Sequence, residues 1–334
     1  MLLKQLERYR QTHMAGLYIE WLFLLGQHEK AFVAFDRWSR IIDSGEPFWA
    51  AVVGHRILGK SEADTLKFIE PWKLMQNNQD KGGIFRDVMA LSAMFIDRQS
   101  SPDAMEKMKR INASHGDRSF LHIATGYDAF TRRKYADVIR DWRVLHESMV
   151  NLSFRTQASY GYTLPYLALA HAAEGSIEKF KPEVERYGAR LPDSFDYLLS
   201  KAVMAASEGH DDQAEMFLWR AFVHRPATGT RPIPNAFLFL EITEAIYEQT
   251  RKDRYRVALV DYAQRLQKVW PFSFAYAFET KYTRNANDRL RALAWAQHLD
   301  RHSARIAHVS EADRSLAQEW FRRHHPAARL PSPL

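Results

Sequence analysis

Few residues in this chain have the type and spacing that chemistry needs. His298 and His302, within HLDRH, stand one helical turn apart, a separation at which two imidazoles can ligate a metal side by side. The hydrolytic HExxH pattern is absent, because Leu299 occupies the place of its Glu. His324 and His325 are adjacent, and adjacent side chains diverge on a helix. With 14 His in the chain, one pair at this spacing needs no site to explain it. Lys81, Gly82 and Gly83 lack the GxxxxGK[ST] frame of a phosphate loop. Asp211 and Asp212 read as a helix cap rather than half of an acid–base pair. Ser153 and Ser159 have no nucleophile-elbow context. The chain has no Cys, which excludes disulfides, thiolate metal sites and a cysteine nucleophile. The expectation is a protein that is not an enzyme and takes no metal or cofactor. An all-helical enzyme stays open as a rival, since an acid–base pair assembled by folding leaves no local spacing. A closed pocket with two facing carboxylates would mark it.

The elements that would position any site are helical. Tyr197 to Pro226, YLLSKAVMAASEGHDDQAEMFLWRAFVHRP, reads as a complete antiparallel helix pair. Its first helix ends at Gly209, where a left-handed backbone is cheap. Its second opens at Asp211 or Asp212, carries Ala214, Leu218 and Ala221 on one face, and stops before Pro226. Equivalent turns fall near Gly26, Gly59, Gln99, Arg133, Gly175, Gly209, Asp253 and Asn287, at steps of 33, 40, 34, 42, 34, 44 and 34 residues. Five residues past the turn stands Ala31, Ala104, Ala214, Ala258 or Ala292; Asp64, Val138 and Phe180 take that place in the other three. Each long step carries extra residues, as in NNQDKGG (77–83), NLSFRTQAS (151–159) and PATGTRPIPN (226–235). Added length costs little when it lies on the surface.

The spacing of Ala202, Gly209, Ala214, Leu218, Ala221 and Pro226 resembles the tetratricopeptide (TPR) repeat, a helix–turn–helix of about 34 residues. The segment around Gly26, with Ala31 and Phe35, is similar. The resemblance implies an all-α, right-handed TPR-like solenoid of about eight hairpins spanning residues 1–325. A capping helix from about Ser310 to His324 closes it, and residues 326–334 form a flexible tail. Strand signals are nearly absent, and Ala31, Phe35, Trp38 and Ile42 follow the helical period. Trp21, Trp38, Trp142, Trp219 and Trp295 all lie in such patterns, mostly as core.

In TPR proteins the first helix of each pair lines a concave groove. By that resemblance the groove positions are Tyr18, Leu22, Thr125, Ala129, Lys201, Ala205, Glu279 and Thr283, and the partner is another polypeptide. The function implied is a scaffold or adaptor.

Charge suggests a second surface. Residues 251–329 hold 16 Lys and Arg against 8 Asp and Glu, so they carry the whole of the net charge of +7. Arg251, Lys252, Arg254, Arg256, Arg284, Arg289 and Arg291 are its candidates, either as a face for an anionic partner or as solvated side chains on outer helix faces. An alternative function is therefore an accessory subunit of a membrane-associated or cell-envelope enzyme complex, with this end near lipid headgroups. Nucleic acid is not an expected partner, because no recognition helix, zinc finger or RNP-like strand is visible. The segment from Gly16 to Gly26 is too short to span a bilayer and contains Glu20. The N-terminus lacks a signal-peptide pattern, so a cytoplasmic location is the default expectation.

Overall fold

The computed structural model describes Tyr18, Ile19, Leu22, Leu25 and Lys67, with residues 27–39, 119–150, 163–224, 232–269, 272–300 and 303–326. Among the described residues there are twelve α-helices, one short 3-10 segment and no strand. They are α1 (His28–Ser39), α2 (Ser119–Thr131), α3 (Tyr135–Val150), α4 (Thr163–Ala173), α5 (Ile177–Arg190) and α6 (Phe195–Ser207). After these come α7 (Asp211–His224), α8 (Pro232–Thr250), α9 (Asp253–Val269), α10 (Ser273–Tyr282) and α11 (Ala286–Leu299). The 3-10 segment Ala304–Ile306 and α12 (Glu311–His324) finish the described chain. No helix among the described residues is long and apolar enough to cross a membrane.

The chain divides into two compact units, one of residues 112–265 and one combining residues 1–111 with 266–334. The boundary falls within α9.

In the unit of residues 112–265, consecutive helices pair as antiparallel hairpins. Contacts are symmetric about each turn: His171 stacks on Phe180 across the turn at Gly175, and Phe239 meets Tyr262 edge-on at 4.8 Å across the turn at Arg251. Arg133, Gly175 and Gly209 share one turn geometry. Each has a positive φ, and the residue after it donates its N–H back to the helix, from Lys134 to Ala129 O, Ser176 to His171 O and His210 to Ala205 O. This is the Schellman ending, in which a left-handed residue satisfies the last helical carbonyls. Arg251 also has a positive φ, but its own N–H donates to Tyr247 O at 2.7 Å. The turn expected near Asp253 thus lies two residues earlier, and Tyr255, Leu259, Ala263 and Leu266 form the inward row of α9.

Burial differs between the two helices of a hairpin. The first helices α4, α6 and α8 are buried nearly all round: every residue from Thr163 to Ala170 is buried, as is every residue from Leu238 to Ile246. Small residues make this packing feasible. Ala168 and Ala170 let α4 touch α3, α6 and α8. The second helices are amphipathic, with one buried row such as Phe180, Val184 and Gly188 on α5 or Ala214, Leu218 and Ala221 on α7. Two glycines serve close approach. A Cβ on Gly126 would lie 2.2 Å from the indole nitrogen of the buried Trp142, and one on Gly188 2.2 Å from the ring of Tyr197.

In the other unit, α10 and α11 form a hairpin centred on Asn285, whose side chain caps α11 by accepting from the N–H of Asn287 and Asp288. α12 packs on α11 through Ala317 and Phe321 and starts at Ser310, whose Oγ accepts from the Asp313 N–H at 3.1 Å. In α1 the row Ala31, Ala34, Phe35 and Trp38 is buried. The turns expected near Gly26, Gly59 and Gln99 lie outside the described residues.

Candidate interaction surface and buried polar sites

α7 presents two faces to two environments. Ala214, Leu218 and Ala221 point inward, whereas Met216, Trp219 and Val223 on the outer side are 46, 47 and 51 % exposed. Their spacing of three and four residues makes a continuous row on one helix face. Neighbouring α9 lies alongside. At one end Asp211 accepts from Lys252 Nζ at 2.7 Å and from the Tyr255 hydroxyl at 2.8 Å, and Arg254 forks onto Glu215 at 2.7 and 2.8 Å. At the other end the Arg265 guanidinium lies 5.5 Å from the Trp219 ring centre, and Phe222 packs on Tyr262. α9 adds Val257, 52 % exposed. The charges around this row pair with one another: Arg220 holds Asp193 at 2.6 Å and Arg265 holds Asp261 at 2.7 Å. The Lys252 hydrogen bond keeps the Asp211 carboxyl below its usual range against a smaller opposing effect of burial. Burial, then the bond to Asp211, pushes the Tyr255 phenol up.

Beneath this surface, α8 carries a buried polar site. Glu241 accepts from the Tyr127 hydroxyl at 3.0 Å and the Tyr166 hydroxyl at 2.6 Å, one phenol on each carboxylate oxygen. The bonds join α8 to α2 and α4. Tyr166 also packs on Phe130 and Trp142, with ring centres 4.6 and 4.8 Å apart. Further along the same face of α8, Glu244 is buried and Glu248 pairs with Arg133. Two phenols donating to one carboxylate hold it as an acceptor and tie three helices at one point.

A second buried carboxylate, Glu279 on α10, is held differently. Gln267 Nε2 donates to one oxygen at 2.7 Å and Arg291 to the other at 2.6 Å.

The residues expected to line a concave groove are dispersed in character. Leu22, Ala129, Ala205 and Glu279 are buried, and Tyr18, Thr125, Lys201 and Thr283 are half-buried. Lys201 Nζ bonds Glu185 at 2.6 Å, Thr125 donates to His122 O, and the Thr283 N–H donates to Glu279 O. Of the basic candidates, Lys252 and Arg254 sit in the α7–α9 network, Arg256 holds Asp253 at 2.7 Å and Arg291 holds Glu279. Arg289 lies 3.9 Å from Asp313, while Arg251 and Arg284 are exposed. His298 stacks on Phe321 at 4.2 Å, and burial lowers its pKa; His302 lies outside the described residues. Among the described residues no group of three or more His, Cys, Asp or Glu could hold a metal ion.

The outer row of α7 was missed by sequence reasoning. Trp219 keeps the helical period and reads as core with the other tryptophans, whereas it lies outside the Ala214, Leu218 and Ala221 row that the sequence puts on the packing face. The long-range bonds to Glu241 leave no local signal. Compared with protein-family models, curated proteins and solved structures, the chain matches none of them.

Proposed function

We propose that the protein is an interaction scaffold that receives an apolar helix of a partner polypeptide along the outer faces of α7 and α9. The observation that carries this is the exposed row Met216, Trp219 and Val223. Single exposed apolar residues are ordinary, but an aligned row containing a Trp is the composition of an interface anchor. The paired charges around it supply a polar rim without strong net attraction, so binding draws mainly on apolar burial and survives added salt. The TPR-like solenoid of about eight hairpins belongs to the same reading. Its support is the turn geometry repeated at Arg133, Gly175 and Gly209 and the near-complete burial of the first helices. The accessory-subunit alternative, with a basic C-terminal surface, draws less support, because Lys252, Arg254, Arg256 and Arg291 already hold carboxylates.

The test compares affinity capture from native lysate by the wild-type chain and by the triple variant Met216→Ser, Trp219→Ser, Val223→Ser, at low and high salt. The expected result is a stoichiometric protein that wild type retains at high salt and the variant loses, with unchanged helicity in both. The same captured set for both chains would overturn the assignment of this face.

A further inference from the structure

The turn between α4 and α5 carries a nucleophile beside a base: His171 Nδ1 lies 2.8 Å from Ser176 Oγ. The backbone fixes both ends of this pair, since Gly175 is left-handed and the Ser176 N–H donates to His171 O at 2.8 Å. Packing orients the imidazole, which stacks on the buried Phe180 at 4.7 Å and 11°. Burial, then Arg143 and Lys179, lower its pKa, so the ring is neutral at pH 7. With Nδ1 unprotonated, the Ser176 hydroxyl donates to it. The other acceptor in reach, His171 O, is 3.4 Å away, beyond the usual O–H···O range.

Folding alone does not call for this pair. The turns at Arg133 and Gly209 have the same geometry, yet they carry Lys134 with Ala129 and His210 with Ala205 at the two positions. Ser176 is also the N-cap of α5, and its side chain makes no capping bond. The N-cap serines of α6 and α12 do cap: Ser194 accepts from the Tyr197 N–H and Ser310 from the Asp313 N–H. Of these three serines, Ser176 is the one that turns its oxygen from the helix to an imidazole. The N–H groups of Ile177 and Glu178 at the start of α5 are thereby left as donors. Ser176 and His171 are half-buried while Glu174, Gly175 and Glu178 around them are exposed, so a small molecule reaches the pair from solvent.

We propose that Ser176 and His171 form a nucleophile–base dyad that cleaves small carboxylic esters. Ser176 Oγ attacks the ester carbonyl carbon, and its proton passes to His171 Nδ1. The oxyanion of the tetrahedral adduct accepts from the N–H groups of Ile177 and Glu178. The bond to the leaving oxygen then breaks, that oxygen takes the proton from Nδ1 as an alcohol, and the acyl group stays on Ser176. Water attacks the acyl-serine in turn: Nδ1 takes its proton and returns it to Oγ, and the carboxylic acid departs. Among the described residues no carboxylate hydrogen-bonds the imidazole, so the dyad lacks the third member of a triad and suits esters with good leaving groups. It shares no residue with the α7–α9 face, so either assignment can fail alone.

The test incubates the full chain with a fluorophosphonate probe and locates labelled serines by tandem mass spectrometry. Ser194 and Ser310 are internal controls, being N-cap serines without a base, and Ser310 is the more exposed. The expected result is Ser176 labelled about 100-fold faster than either, the lower end of what a positioned general base supplies. His171→Gln should remove that advantage while Ser194 and Ser310 keep their rates. Hydrolysis of p-nitrophenyl acetate should fall in Ser176→Ala to the level of His171→Gln. The controls sit in the same wild-type chain, so the first comparison holds even where His171→Gln loosens the turn. Ser176 labelled no faster than Ser194 and Ser310, or ester hydrolysis unchanged in Ser176→Ala, would overturn the proposal.

Discussion

Glu241 and Glu279 are both fully buried glutamates on the first helix of a hairpin, yet the two are stabilised in opposite ways. Glu241 takes its hydrogen bonds from Tyr127 and Tyr166, 114 and 75 residues away in sequence. Glu279 takes its bonds from Gln267 and Arg291, each 12 residues away. The two phenols on Glu241 pin three helices together. The guanidinium cancels the charge of Glu279 and ties only the neighbouring helices. Glu241 is thus a long-range tie and Glu279 a local clasp.

The largest effect should come from breaking the local clasp. Arg291→Ala removes the Arg291 guanidinium from the buried Glu279 carboxylate, and the expected loss is about 3–5 kcal/mol by denaturant unfolding. A loss under about 1 kcal/mol would mean that Gln267 and the remaining surroundings suffice. Tyr166→Phe deletes a single bond to a charged acceptor, for which the expected cost is about 1.5–3 kcal/mol. Combining it with Tyr127→Phe sharpens the comparison: if Glu241 is one tie, the double variant should depart from additivity.

Asp196 on α6 offers a test by pH. Burial pushes its carboxyl up to about 7. Between about pH 4 and pH 7 the folded chain therefore holds a proton that an unfolded Asp has released, and stability falls as pH rises through that window. Thermal unfolding of Asp196→Asn should lose this slope; an unchanged slope would place its origin elsewhere. The smallest effect is a gain. Arg251 holds a left-handed backbone at φ 56°, and Arg251→Gly should stabilise by about 1 kcal/mol.

Much of the local architecture was legible in the sequence. Turns read at Arg133, Gly175 and Gly209 are turns in the structure, and Ser310 with Asp313 marks the start of α12 where the capping pattern put it. Val138, Phe180, Ala214 and Ala292, five residues past their turns, are all buried. Such features depend on a few neighbouring residues, so spacing reveals them. The turn at Arg251 is read two residues late, at Asp253, whose acidic side chain opens α9 rather than marking the turn itself. The pairing of Lys252 and Arg254 with the start of α7 was hidden for a different reason. A charge run looks the same whether solvent or another helix answers it. The row at Trp219 was missed because tryptophan in a helical pattern reads as core, although the inner row Ala214, Leu218 and Ala221 leaves Trp219 on the other side.

The tie at Glu241 has a mechanical consequence. In a solenoid whose hairpins touch only their neighbours, tension peels the hairpins off one at a time. Here Tyr127 of the first described hairpin of its unit, Tyr166 of the second and Glu241 of the fourth share one node. Force applied between Tyr127 and Glu241 loads that node directly. The unit should resist as a stiff block and then yield in one event, whereas a spring of independent coils would give a staircase.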